Sequence, residues 1–412
     1  MKRCVVTGLG AVTPIGIGKE DFWKSLTEGR PNYSEINRFQ LQDFDKTRIA
    51  AQIKDFDPAL YVDKKIVESI ESLQATHGGL SIYYGVAGAK LALDDAQITS
   101  SNSDLERVGV IMGSGSGDVA LLQRANTDLT HGTYSLANAL PGIVAKQFRL
   151  HGLATAVSGA CATGNLTLRA GYKEIRQGDH DVMVVGSSEA PIDIPHYMGS
   201  EKHRRDGVKG LSQKNDVSRG MIPFDECRDG IVLSEGAGVL VLEELEHVKR
   251  RGAHIYAEIL GYGDYTDFDS NLIRITEKGY LYAMRNALRN SNIGSKDLLR
   301  GYVNAHGTGT LLNDPNESRA IFSLFGNKVP VSSFKGTTGH LQAAAPGIEL
   351  VGSALVLDRQ CIPSTNLREV AHDCAPLDYV IERRNEKIDF VIKNAAGFNG
   401  VYSSIVLSKY KD

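Results

Sequence analysis

Short apolar runs separated by helix-length amphipathic or alanine-rich stretches set the rhythm of this chain. Residues 108–112, 182–186, 301–305 and 329–334 lack polar alternation, the pattern of strands covered on both faces. Residues 255–260 read as a further strand, as do 154–157. Helices are expected at 80–96, 137–148, 162–177, 245–251 and 279–291, with Lys173 and Arg176 near the end of the third and Gly178 as its stop. Another is expected from about His340 through Leu357, kinked or displaced by Pro346. The opening Arg3–Thr7 reads as a strand followed by a glycine-rich turn, and 231–242 as paired strands through a glycine-rich bend. Residues 17–78 read as short surface helices and loops.

After the helix at 245–251 the order of strands and helices starts again. The repetition predicts a duplication with halves 1–250 and 251–412. It also predicts a layered α/β/α/β/α body in which two parallel-type sheets sandwich shared helices. Loops at the C-terminal ends of the strands then converge on one site.

Composition narrows the class. The 412 residues are 42% hydrophobic and 23% charged with a formal charge of −3, enough for a large core and a poor match to nucleic acid. Five scattered cysteines with no C-x-x-C pair point away from zinc and disulfides and towards a reducing cytoplasm. No apolar run is long enough to span a bilayer and no leader-like segment opens the chain, so neither secretion nor a membrane span is expected. The Gly8-Leu9-Gly10 turn lacks the full G-x-G-x-x-G spacing, with Pro14 where a phosphate-binding helix should start, which argues against a dinucleotide. Gly113 to Asp118 lacks the Gly-Lys-Ser/Thr ending of a P-loop and reads as a tight turn.

Candidate chemistry centres on Val157-Ser158-Gly159-Ala160-Cys161-Ala162-Thr163-Gly164. A strand–turn–helix connection there holds Cys161 at a helix N-terminus, where backbone N–H groups and the dipole favour a thiolate. Small neighbours leave room for a carbonyl; the bland alternative is a buried structural cysteine. His306, in Asn304-Ala305-His306-Gly307-Thr308-Gly309-Thr310, and His340, in Lys335-Gly336-Thr337-Thr338-Gly339-His340, each follow a buried strand. Imidazoles so placed can bind a thioester carbonyl and steady the enolate left by loss of carbon dioxide. Thr308 and Thr310 are turn formers or hold the amide-rich arm of a carrier. Lys335, among small residues, is expected in a buried ion pair with Glu349. The basic stretch 201–219, with Lys202, Arg204, Arg205 and Lys209, is a solvated loop or a docking surface for an acidic protein.

These motifs, with Pro-Phe-Asp-x-x-Arg-Asp-Gly at 223–230, Ser-Glu-Gly-Ala-Gly at 234–238 and Gly-Phe-Asn-Gly at 397–400, resemble a β-ketoacyl–acyl carrier protein synthase of the thiolase superfamily nearly end to end. The resemblance implies a duplicated thiolase-like five-layer fold, a dimer, and decarboxylative Claisen condensation with Cys161 as acyl acceptor. His306 and His340 then bind the malonyl thioester, and Lys335 and Glu349 supply supporting charges. Backbone N–H groups of Cys161 and Phe398 form the oxyanion hole, Phe398 is also the gate, and Thr308 and Thr310 contact pantetheine. It implies no enzyme-bound cofactor and no metal; phosphopantetheine arrives on an acyl carrier protein, with Lys202, Arg204, Arg205 and Lys209 as a docking surface.

Residues 311–317, 329–333 and 401–407 resemble the ketosynthase-alpha subunit of iterative type II polyketide synthases, implying a possible cysteine-less chain-length-factor partner. A housekeeping 3-oxoacyl–acyl carrier protein synthase II of fatty-acid synthesis is the alternative. Asn394-Ala395-Ala396 and Asn271-Leu272-Ile273 depart from the family pattern, one beside the gate and one at acyl-pocket or docking contacts. Two rivals differ in class. A coenzyme A-dependent thiolase needs a second cysteine motif that Cys361 and Cys374 lack; a non-condensing partner has no use for a Cys-His-His set.

Overall fold

The computed structural model describes residues 1–411 apart from 43–45, 73–77, 120, 122–132, 206–209, 268–272 and 295–297, with backbone alone over 201–205. A first set of strands comprises β1 (Cys4–Thr13), β2 (Val108–Gly113), β3 (Ala154–Ala156), β4 (Val182–Glu189) and β5 (Gly236–Glu244). Their hydrogen-bonded order is β3-β2-β4-β5-β1. β2 runs parallel to β3 and β4, whereas β5 is antiparallel to β4 and β1. The second set is β6 (Ala257–Thr266), β7 (Gly301–Asn304), β8 (Pro330–Ser332), β9 (Phe390–Gly397) and β10 (Val401–Ser408). It repeats the order as β8-β7-β9-β10-β6, with the same parallel and antiparallel pairings. The expected duplicated α/β fold is present.

The two sheets are not separate, as the sequence suggested. β1 and β6 share two antiparallel residue pairs, Val5↔Glu258 and Val6↔Ala257, giving one continuous sheet of twelve strands among the described residues. Each is the first strand of its set and would otherwise leave an open edge, so pairing satisfies both.

Helices complete the layers. α1 (Leu80–Ala96) covers the outer face of the first sheet. α2 (Thr163–Gln177) lies on its inner face, and α3 (Ile194–Arg205) follows β4 in the chain. α4 (Glu277–Ser291) and α5 (Asn313–Phe325) cover the second sheet, while α6 (Ala345–Arg359) lies between the two and touches both. α6 is buried from Ala345 to Leu357, which explains why it is apolar on nearly every side, Glu349 and Ser353 excepted. Ile348, Val351 and Leu355 join Leu168 of α2 in the central core; each such burial stabilises by about 1.5–3 kcal/mol.

Two local expectations are corrected, and a third, the helix kinked or displaced by Pro346, takes its displaced form. β1 does not turn at its glycines but continues to Thr13. A Cβ at Gly10 would meet the Gly88 carbonyl oxygen of α1 at 2.0 Å, so glycine is there for helix-on-strand approach. Residues 231–242 do not form paired strands: β5 starts at Gly236, and Ile231 and Leu233 make isolated bridges to Leu211 and His340. That segment pairs with a site loop instead of with its own neighbour. The helix after His340 begins only at Ala345, behind a short turn at Gln342–Ala344. Pro346 falls in its first turn, where the missing N–H has no intrahelical acceptor to lose.

The central helices meet where they begin. A Cβ on Gly164 would lie 2.3 Å from the Gly347 nitrogen, so the N-termini of α2 and α6 adjoin. The loops entering those helices carry Cys161 and His340. Among the described residues no helix is long and apolar enough to cross a membrane.

Candidate active site

Cys161 lies in a short 3-10 turn, Ala160–Ala162, between β3 and α2. Ala160 before it has φ 49, a left-handed conformation that a residue with a Cβ adopts only under constraint. The constraint is Thr163, whose hydroxyl donates to the Ala160 carbonyl at 2.7 Å and accepts from Gly159 N–H at 3.0 Å. The thiol is buried and donates to Gln342 Oε1 at 3.2 Å.

His306 follows β7, and two carboxylates from α5 hold its loop. Glu317 accepts the N–H groups of His306 and Gly307 at 2.7 and 2.8 Å. Asp314 accepts those of Thr308 and Gly309 at 3.0 and 3.2 Å and that of Phe224 at 2.7 Å. The Pro223-Phe224-Asp225 motif is thereby tied to the histidine loop, and Gly230 N–H reaches the Gly309 carbonyl at 3.0 Å. Lys335, after β8, is wholly buried; its ammonium donates to the His306 carbonyl at 2.6 Å and to Glu349 at 2.5 Å. The expected Lys335–Glu349 ion pair is therefore formed.

The two imidazole rings lie 5.6 Å apart between centroids, at 84°. His340 Nδ1 accepts the Gln342 N–H at 3.2 Å, and His306 Nδ1 faces the Lys335 ammonium at 3.4 Å. A neutral ring that accepts at Nδ1 carries its proton on Nε2. Burial, with the cations Lys335 and Lys393 nearby, holds both histidines well below the ordinary imidazole range, so both rings are neutral donors through Nε2.

The expectation of a lowered thiol pKa is overturned. Burial pushes Cys161 up to about 12, with Lys335 opposing and Glu189 and Glu349 adding to the rise. Desolvation outweighs the helix N-terminus because the second half of the chain closes over the sulfur. The resting nucleophile is a thiol.

Cys161, His306 and His340 line one cavity of about 820 Å³, together with Thr308, Thr310 and Phe398. The threonine hydroxyls are 2.9 Å apart, and Phe398 is 46% exposed at the cavity wall. Ile273 and Ala396, from the two departing segments, also line it; Asn271 and Leu272 lie outside the described residues. Of the docking candidates, Lys209 is outside the described residues, and Lys202, Arg204 and Arg205 stand on α3 rather than in the loop expected there. Among the described residues no cluster of His, Cys, Asp or Glu is built to hold a metal ion.

Four residues were not found from sequence. Gln342 holds the thiol; Glu317 and Asp314 brace the His306 loop. Lys393, buried within β9, faces Glu349 at 2.8 Å. Asp314 and Glu317 lie in the 311–317 run without their role being legible there, and Lys393 leaves a local signal as a lysine inside the otherwise uncharged strand Phe390–Gly397.

Comparison with known proteins accords with this geometry. Residues 1–248 match the family description "Beta-ketoacyl synthase, N-terminal domain" and 256–367 its C-terminal counterpart. The chain is 35% identical over 432 residues to a 3-oxoacyl-[acyl-carrier-protein] synthase 2 from Coxiella burnetii, covering 100% of this chain and 99% of that one. It is similar to the structure of a beta-ketoacyl synthase from Burkholderia phymatum, with TM-score 0.89 and 31% identity over 100% of both chains. The ishigamide ketosynthase/chain length factor gives TM-score 0.88 and 29% identity, again over 100% of both.

Proposed function

The chain belongs to the beta-ketoacyl synthase family and is a condensing enzyme, and from that premise we propose that it extends an acyl chain on Cys161 with malonyl–acyl carrier protein. One observation carries the reading: a thiol from the first half and two Nε2–H donors from the second line a single cavity.

In the first step the Cys161 sulfur attacks the acyl thioester, and the pantetheine sulfur leaves with the thiol proton. The enzyme holds acyl-cysteine; the carrier departs as free thiol. The second carrier brings malonate. Its thioester oxygen accepts from Nε2 of His306 and His340, which stabilise the enolate formed as the carboxylate leaves as carbon dioxide. The enolate carbon attacks the acyl-cysteine carbonyl. Backbone N–H groups of Cys161 and Phe398 receive the oxyanion, and collapse expels the cysteine sulfur, which takes a proton from solvent. No enzyme-bound cofactor is needed, because phosphopantetheine comes with the carrier. Thr308 and Thr310 receive its amide arm, and Lys202, Arg204, Arg205 and Lys209 offer cations to an acidic carrier. A reducing cytoplasm keeps the thiol, free like the other four cysteines, available.

Relatives named 3-oxoacyl-[acyl-carrier-protein] synthase 2 match at 32–35% identity over nearly full length, which favours a self-sufficient 3-oxoacyl synthase II over a polyketide ketosynthase-alpha subunit. The 311–317 and 401–407 runs keep the second reading specific. Both readings use a dimer, for which the outer edge of β3 is available: its pairing among the described residues is to β2 alone. Purified protein should be incubated alone with acyl- and malonyl-carrier proteins, and the product identified by mass spectrometry. A 3-oxoacyl product from this chain alone supports the first reading. Product only after adding a cysteine-less homologue supports the second, and none under either condition contradicts both.

A further inference from the structure

Lys393 has no part in the chemistry above, yet it is fully buried in the middle of β9. Its same-face strand neighbours Val391 and Ala395 are apolar and equally buried, so an uncharged residue would fill the position at no desolvation cost. An ammonium there is costly unless it is paired. Its partner is Glu349: Nζ forms an ion pair with Oε2 at 2.8 Å, and that oxygen has no hydrogen-bond partner among the described residues. The opposite oxygen, Oε1, holds Lys335 at 2.5 Å, and Lys335 reaches the His306 carbonyl at 2.6 Å and Nδ1 at 3.4 Å. The Lys393 ammonium also donates to the Asn394 carbonyl. Its own carbonyl accepts Asn165 Nδ2 of α2 at 3.2 Å, tying the clamp to the cysteine's helix.

We propose that Lys393 is a positioning residue for decarboxylation: it pins one oxygen of Glu349 so that the other holds Lys335 against His306, which fixes the ring with Nε2–H towards the substrate. Without it, Glu349 turns between alternatives and Lys335 loses its fixed place. The inference rests on the condensing reading above, and wild-type decarboxylation of malonyl–acyl carrier protein tests that reading separately. The titratable groups around the two rings are Lys335, Lys393, Glu349, Glu317, Cys161 and Glu189. Lys335 and Lys393 are the cations that disfavour imidazolium. Burial lowers Lys393 itself to about 8, against the pull of Glu349.

The experiment is carbon dioxide release from malonyl–acyl carrier protein by full-length Lys393→Met across the pH range, beside wild type. The expected result is kcat lower by about tenfold or more with KM within about threefold, since orientation rather than binding is lost. The acid limb should move to higher pH, because a cation facing both imidazoles is gone. An alkaline limb near pH 8, where wild-type Lys393 loses its proton, should disappear. If Lys393→Met does not fold, Lys393→Met with Glu349→Gln removes both ends of the buried pair. In that background the acid and alkaline shifts should persist. Where Lys393→Met does fold, Glu349→Gln should cost less in it than in wild type, because the two act through one clamp. A folded variant with unchanged kcat and unchanged limbs would reduce Lys393 to a space filler and overturn the proposal.

Discussion

The two halves share one strand order and differ in what they hang on it. In each, the third strand of the set leads into a central helix. Behind β3 that connection carries Cys161; behind β8 it carries Lys335 and His340. In each, the loop after the second strand is tied down by a buried carboxylate. Glu189 accepts Gly115 N–H and the Ser114 and Ser116 hydroxyls, while Glu317 accepts the His306 and Gly307 N–H groups. Among the residues each carboxylate ties down, only those of the second loop include an imidazole. Duplication thus supplied two equivalent frames, and divergence gave one the nucleophile and the other the electrostatics. Neither set is a site alone: the thiol's hydrogen-bond acceptor, Gln342, comes from the opposite half.

This division of labour can be broken from either side. The largest expected effect is from Cys161→Ala, which removes the acyl acceptor and should lower condensation by on the order of 10⁴-fold or more, read as 3-oxoacyl product. His306→Ala and His340→Ala each remove one preorganised donor and should each lower malonyl decarboxylation by about 10²–10³-fold. Acyl loading should persist in both, read by intact-protein mass spectrometry. A smaller effect sharpens the contrast between the frames. Because burial holds Cys161 near 12, its alkylation by iodoacetamide should keep rising with pH through the alkaline range; a plateau near neutrality would mean a thiolate at rest. Smallest is the double charge reversal Arg204→Glu with Arg205→Glu, which should raise the apparent KM for carrier by about three- to tenfold, most at low salt, with kcat unchanged.

The glycine- and threonine-flanked motifs made Cys161, His306 and His340 legible because a residue exposed just past a buried strand needs small neighbours, and those neighbours are adjacent in sequence. The duplication was legible for a similar reason: apolar runs mark strands wherever they fall. What stayed hidden depends on distant partners. Glu317 was visible only as part of a branch-specific run, since its role requires knowing that α5 folds back under the His306 loop. Lys393 needed Glu349, on another element, to make sense. The raised thiol pKa is not legible locally, because a helix N-terminus is a local feature whereas desolvation needs the folded chain around the sulfur. Gly8 and Gly10 read as a turn in the sequence because the helix that presses on them starts about seventy residues later.

The most direct test crosses the two half-reactions in one pair of variants. Cys161→Ala and the double variant His306→Ala with His340→Ala are each given acyl–acyl carrier protein and malonyl–acyl carrier protein separately, and bound acyl mass and released carbon dioxide are measured. The cysteine variant should release carbon dioxide and carry no acyl group, and the histidine variant should carry the acyl group and release none. Decarboxylation that survives loss of both imidazoles, or acyl transfer that survives loss of the sulfur, would contradict the division between the halves.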